Sequence, residues 1–153
     1  MRIHLPQSLF LVSALMALSH APTASADEVA EFQNAQTAAH AWLLDVDQGN
    51  YTQSWQEAAE PFKKAVTPAQ WQSTVTEVRA PFGKVVSRQP ILAKYTRSLP
   101  DAMTGEYVVI QYETRFANRT AVETVTPMRE ADGVWRVSGY FVQDQAHTNE
   151  PKP

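Results

Sequence analysis

The chain has no cysteine. That absence excludes thiol nucleophiles, thiolate metal sites, disulfides and thiol redox chemistry, so stability must come from burial alone. Histidine is scarce too. Of the four histidines, only His40 and His147 lie beyond residue 26. Neither has a carboxylate or a second histidine at ligand spacing, which leaves no basis for a metal site or a histidine-based triad. Basic residues are outnumbered, 13 Lys and Arg against 16 Asp and Glu, for a net charge of −3. With no clustered basic surface, the chain lacks the electrostatic footprint of a nucleic-acid binder or a polybasic lipid anchor. Only five glycines and ten dispersed prolines occur, and no low-complexity segment or internal repeat is visible. Nothing points to a cofactor. The longest apolar run, Leu9 to Leu18, is too short to cross a bilayer.

That run nevertheless has a context. Arg2 and His4 form a short, weakly basic opening, and Ala24-Ser25-Ala26 supplies small residues where a signal peptidase reads. Residues 1–26 therefore read as a cleavable export signal, with the mature chain beginning near Asp27. Processing removes Arg2 and makes the remainder one unit more acidic. No cysteine near the cleavage point is available for a lipid anchor, so the expectation is a soluble periplasmic protein without a membrane anchor. Residues 27–143 are enough for one domain with a genuine core, and residues 144–153 read as a disordered polar tail.

Within the domain the apolar period changes once. Phe32, Ala35, Ala39, Trp42 and Val46 recur at helical spacing after a lead-in from Asp27, and Gly49 ends the stripe. Asn50 and Gln53 have capping-box spacing ahead of a second stripe, Tyr51, Trp55, Ala58 and Phe62, with Pro61 near its end. Thr67, Pro68 and Gln70 start a third helix, lined by Trp71, Val75 and Val78. After Gly83 the pattern alternates. Val85–Arg97 reads as a strand bulged at Pro90, hence an edge strand. Val108, Ile110, Tyr112, Thr114 and Phe116 form one face of a second strand, and Asn118-Arg119 turns the chain into a third, 120–130. Asp132-Gly133 is a hairpin signal before a last strand, on which Trp135, Val137, Gly139 and Phe141 should share the apolar face. The expected fold is α+β: three helices packed on a four-stranded antiparallel, curved sheet.

Several strings carry a resemblance. They are Trp42, Asp45-Val46-Asp47, Gly49-Asn50-Tyr51, Ser54-Trp55, Trp71, Arg79-Ala80-Pro81-Phe82-Gly83, Ser87-Arg88, Leu99-Pro100, Gly105-Glu106-Tyr107, Glu123 and the run from Gly133 to Phe141. Over roughly Ala35 to Val142 the chain resembles the domain of unknown function 4019 family of exported Gram-negative proteins. The resemblance implies a periplasmic location and a cystatin-like or NTF2-like cone. It implies no activity and no site residues.

Two constellations are candidates for function. Glu113, Arg115 and Glu123, with Arg129 and Arg136, are charged residues on strands. On the inner face of a curved sheet such a carboxylate can line a cavity with Tyr112 and act as a base, as in the ketosteroid-isomerase pattern. The phase of Glu113 and Arg115, opposite to the Val108 set, instead puts them on the solvent face, pairing across strands. Arg79 and Arg88 flank the Pro81–Gly83 corner and could grip an anionic ligand or a partner's carboxylate in bidentate fashion. The simpler reading is a corner plugged by Phe82. The favoured expectation is a non-enzymatic binding module for a periplasmic partner, acting through the curved sheet or the edge near Pro90. The alternatives are a small-ligand pocket protein, possibly enzymatic, and an inhibitor or immunity-type protein of a periplasmic enzyme.

Overall fold

A computed structural model of the protein describes residues 26–145. Residues 1–25 of the export signal expected over 1–26, and residues 146–153 of the tail expected over 144–153, lie outside the described residues. Among the described residues four helices, one more than expected, precede four strands: α1 (Ala26–Gln48), α2 (Tyr51–Gln56), α3 (Glu60–Ala65), α4 (Pro68–Arg79), β1 (Val85–Thr96), β2 (Glu106–Phe116), β3 (Thr120–Arg129) and β4 (Trp135–Asp144). The strands form one antiparallel sheet in the order β1-β2-β3-β4. The protein is α+β, with helices followed by a four-stranded antiparallel sheet, as the change of period requires.

The first helix runs from Ala26 without a separate lead-in and buries Ala35, Ala39, Trp42, Leu43 and Val46, a single stripe at helical spacing. Gly49 ends it at φ 78°, where a side chain would be strained. The capping box expected at Asn50 does not form. Asn50 has ψ 56°, away from the extended cap geometry, and its amide instead donates to Gln48 Oε1 at 3.1 Å. The box at Thr67 does form, with Thr67 and Gln70 bonding each other's backbone N–H. The stripe from Tyr51 to Phe62 is divided between two helices. Pro61 lies in the first turn of α3 rather than at the end of α2, because its missing N–H costs nothing there. The break leaves the Ala59 N–H free to donate to Val137 O of β4 at 2.9 Å, tying the helical layer to that sheet edge.

Trp42, Phe62 and Trp71 pack against one another and, with Tyr140 of β4, fill the space between helices and sheet. Their polar edges are satisfied locally. Trp42 Nε1 donates to Ser54 O at 2.7 Å and Trp71 Nε1 to Ser54 Oγ at 2.9 Å, so buried Ser54 serves both indoles. The inner face of β2 is Val108, Ile110, Tyr112, Thr114 and Phe116, all buried, as the alternation predicts. Strand β1 is an edge strand with a register shift at Pro90, also as expected.

Strand β4 departs from expectation. Thr126 pairs with Gly139 but Pro127 with Val137, so Ser138 is an extra residue. Pro127 sits in an interior strand and has no N–H to offer the ladder. The bulge accommodates that loss, and the Ser138 hydroxyl donates to Thr126 O at 2.9 Å. One extra residue reverses every later side chain. Phe141 is consequently 71% exposed, and Tyr140 takes the inward place. On the other side, buried Trp135 donates its indole N–H to Glu31 Oε2 at 2.7 Å. Replacing Trp135 by alanine should cost about 3–5 kcal/mol, whereas Phe141→Ser should change stability by no more than about 0.5 kcal/mol. Urea melts of the two variants decide the assignment, and equal losses would reject the bulge.

Candidate functional site

The inner sheet face, apolar over most of its length, carries a carboxylate at its centre. Glu123 of β3 has no solvent exposure. Three strands aim donors at it. Arg88 of β1 reaches Glu123 Oε2 through Nε and Nη2, each at 2.7 Å, and Thr114 Oγ1 of β2 donates to the same oxygen. Tyr140 of β4 donates its hydroxyl to Oε1 at 2.6 Å. Strand pairing produces this convergence, since Arg88 pairs with Thr114 and Tyr112 with Glu123.

Arg88 then bridges to the helices. Its Nη1 donates to Asp47 Oδ2 at 2.7 Å and its Nη2 to Asp47 Oδ1 at 3.0 Å, a bidentate grip on the last turn of α1. Arg79, at the end of α4, donates to Asp47 Oδ1 at 2.7 Å. Arg79 is buried where Val78 was expected, because Trp71, Val75 and Arg79 form the i, i+4, i+8 row that faces inward. Its Nη1 has no hydrogen-bond partner among the described residues, and its guanidinium carbon stands 5.3 Å from the centre of the Phe116 ring. Arg79 and Arg88 against Asp47 and Glu123 make the cluster neutral overall.

The electrostatics follow from this geometry. Burial works against the charge of Arg88, but hydrogen bonds and attraction from Asp47 and Glu123 overcome it and raise the guanidinium pKa. Burial, reinforced by the Glu123 charge, pushes Tyr140 well above the ordinary phenol value, and burial raises Tyr112 in the same direction.

The structure therefore gathers Arg79, Arg88 and Glu123, with Tyr112 beside them in the core, but the arginines grip an internal carboxylate. Glu113 and Arg115 are exposed on the other face, where Glu113 accepts from Gln145 Nε2 at 3.1 Å and Arg115 donates to Ser87 Oγ at 3.4 Å. For these two, the solvent-face reading was correct. Glu123 instead lies on the inner face, since Ala121, Glu123 and Val125 alternate inward. Asp47, Thr114 and Tyr140 escaped the sequence reading. Asp47 and Tyr140 lie in strings that carry the family resemblance, which was the signal available. The Pro81–Gly83 corner is as expected, with Phe82 buried against Phe116 and Gly83 at φ 79°. Among the described residues, no group of three or more acidic or histidine side chains is placed to hold a metal ion.

Arg88→Met, which strands two carboxylates, should cost about 3–5 kcal/mol in urea unfolding. Arg88→Lys should not restore that loss, because a single ammonium cannot bridge both partners; full recovery by lysine would contradict the geometry. Tyr140 supplies a pH test. Its pKa is higher folded than unfolded, so its contribution is fully present below about pH 10 and is lost as pH rises further. Tyr140→Phe should lose about 1–3 kcal/mol near neutrality, by leaving Glu123 one donor short, and should flatten the alkaline decline. An unchanged alkaline limb would show that Tyr140 is not held protonated by the fold.

The comparisons with known proteins give a family and no ligand. No curated protein and no solved structure matches the chain. One family model does, that of the DUF4019 proteins of unknown function, over residues 38–140, a span that contains Asp47, Arg79, Arg88, Thr114, Glu123 and Tyr140. The chain belongs to the DUF4019 family.

Proposed function

We propose that this protein is an exported, non-enzymatic binding module of the periplasm. One observation carries the reading. Glu123, the carboxylate best placed to act as a base inside a cone-shaped fold, is wholly buried and bonded by Arg88, Thr114 and Tyr140. A general base needs a lone pair within reach of a substrate proton. Here those positions are taken, and the aromatic cluster occupies the space a substrate would need. The leader-like residues 1–26 support export, and no helix among the described residues is long and apolar enough to cross a membrane.

The working surface is then the outside of the molecule. On the sheet face away from the helices, Leu92, Gln111, Thr124 and Phe141 pair in one row across all four strands. Leu92 and Phe141 are exposed at its two ends. The edge near Pro90 is less suited to strand addition, because a proline, two register shifts and Lys94 interrupt its ladder. The open face is accordingly the surface we assign to a protein partner.

Fractionation and in-cell photo-crosslinking test both parts. The protein should be recovered from the periplasm with Asp27 at its N-terminus. A photoreactive residue at Phe141 or Leu92 should give a discrete adduct that the same probe at Gln72, on the helical side, does not. Retention in the cytosol would overturn export. No adduct from either sheet position would overturn the open face as the binding surface.

A further inference from the structure

The two edges of the sheet are built differently. Strand β1 carries Pro90, Lys94 and two register shifts, devices that keep an edge strand from pairing with another chain. Past the bulge at Ser138, β4 has none of them. From Tyr140 to Asp144 it pairs with Val125 to Ala121 of β3 without a shift. The stretch Gly139-Tyr140-Phe141-Val142-Gln143 holds no proline and no charge. Among the described residues, the backbone of the helical layer bonds this edge only through the Ala59 N–H on Val137 O, before the bulge. Beyond that point alternate residues turn their N–H and C=O away from β3. Tyrosine, phenylalanine and valine also favour extended backbone, so the segment is a template for a further strand.

The side chain at the centre of the segment narrows the choice of strand. Phe141 is 71% exposed, and it stands at the rim of the outer face rather than in its middle. Thr124, its partner on β3, flanks the ring on one side only.

We infer that β4 pairs antiparallel with β4 of a second copy of this chain, about a two-fold axis at Phe141, joining two four-stranded sheets into one. In that register Phe141 meets Phe141, Tyr140 meets Val142, Gly139 meets Gln143 and Ser138 meets Asp144. The two Phe141 side chains then lie at cross-strand distance, about 4.5–5.5 Å between Cβ atoms, and each covers the flank that Thr124 leaves bare. No like charges oppose each other, because Arg136 lies outside the paired stretch and Asp144, already engaged by Arg119, meets a serine. The Ala59 bond to Val137 bounds the stretch and is not displaced. The stretch 138–144 is roughly 24 Å long at about 3.4 Å per residue, a small interface, so the association belongs to the weak class. The inference goes beyond the partner surface proposed above and does not depend on it, since the pairing uses the strand edge and leaves Leu92, Gln111 and Thr124 uncovered.

Sedimentation equilibrium of the purified protein, from about 10 μM to about 1 mM, tests the pairing. The mass should rise from one chain towards two, and amide exchange over Gly139–Gln143 should slow with concentration while that over Gln89–Lys94 does not. Phe141→Lys should leave the urea midpoint unchanged and weaken association about tenfold or more, by setting two ammonium groups across the axis. Phe141→Glu should do the same. Mixing the two variants should restore association, because a two-fold axis at this residue sets one charge against the other. A single-chain mass throughout, association that survives Phe141→Lys, variants that do not recover on mixing, or protection on β1 in place of β4 would overturn the inference. An adduct between Leu92 and another protein would stand in each of those cases, so the two readings fail separately.

Discussion

Glu123 is a charge with no water around it, on a sheet face otherwise built from Val108, Ile110, Val125 and aromatic rings. An ionised carboxylate in such a place is tolerable only if protein groups replace its hydration completely. Its neighbours answer that demand. Arg88 supplies the countercharge, Thr114 and Tyr140 fill the remaining directions, and Arg88 itself is completed by Asp47 at the end of α1. Because each donor comes from a different strand, the sheet must hold its register for the charge to be satisfied. Because Asp47 also takes Arg79, the ends of α1 and α4 are drawn to the same point.

Such a cluster does not make the fold more stable than a hydrophobic replacement of equal volume would. What it supplies is a penalty for misplacing any of its parts. The aromatic packing of Trp42, Trp71 and Tyr140 tolerates small shifts, since dispersion and burial are non-directional. Charged hydrogen bonds near 2.7 Å do not. The division of labour explains how a cysteine-free chain with short helices α2 and α3 maintains one arrangement of helices on sheet. It also bears on the proposed function: the most strongly interacting side chains are spent inside, which leaves the open sheet face as the surface we assign to a partner.

The legible parts of this fold were those governed by local rules. The period of α1, the Thr67 box, the bulged edge at Pro90 and the phase of β2 all followed from short-range chemistry and appear as read. The illegible parts depend on partners distant in sequence. Ser138 becomes an extra residue because Pro127, on the neighbouring strand, lacks an N–H, and no pattern within β4 announces this. The bulge exchanges Phe141 for Tyr140 and so hides the phenol that bonds Glu123. Arg79 could be read only as a grip for an external anion, because its partner, Asp47, lies 32 positions earlier. Half of the cluster, Arg79, Arg88 and Glu123, could be named from sequence. Its purpose could not, since an arginine pair awaiting an external anion and one gripping an internal carboxylate have the same sequence.

The account rests on Arg88 and Asp47 acting as one unit that joins sheet to helices. A double-mutant cycle measures that directly, from urea unfolding of Asp47→Ala, Arg88→Ala, the double variant and the parent. The account expects a coupling of about 1–3 kcal/mol, with the double variant losing less than the two single losses together. Losses that add to within about 0.5 kcal/mol would mean that the two residues are independent, and the buried cluster would not be what joins the layers.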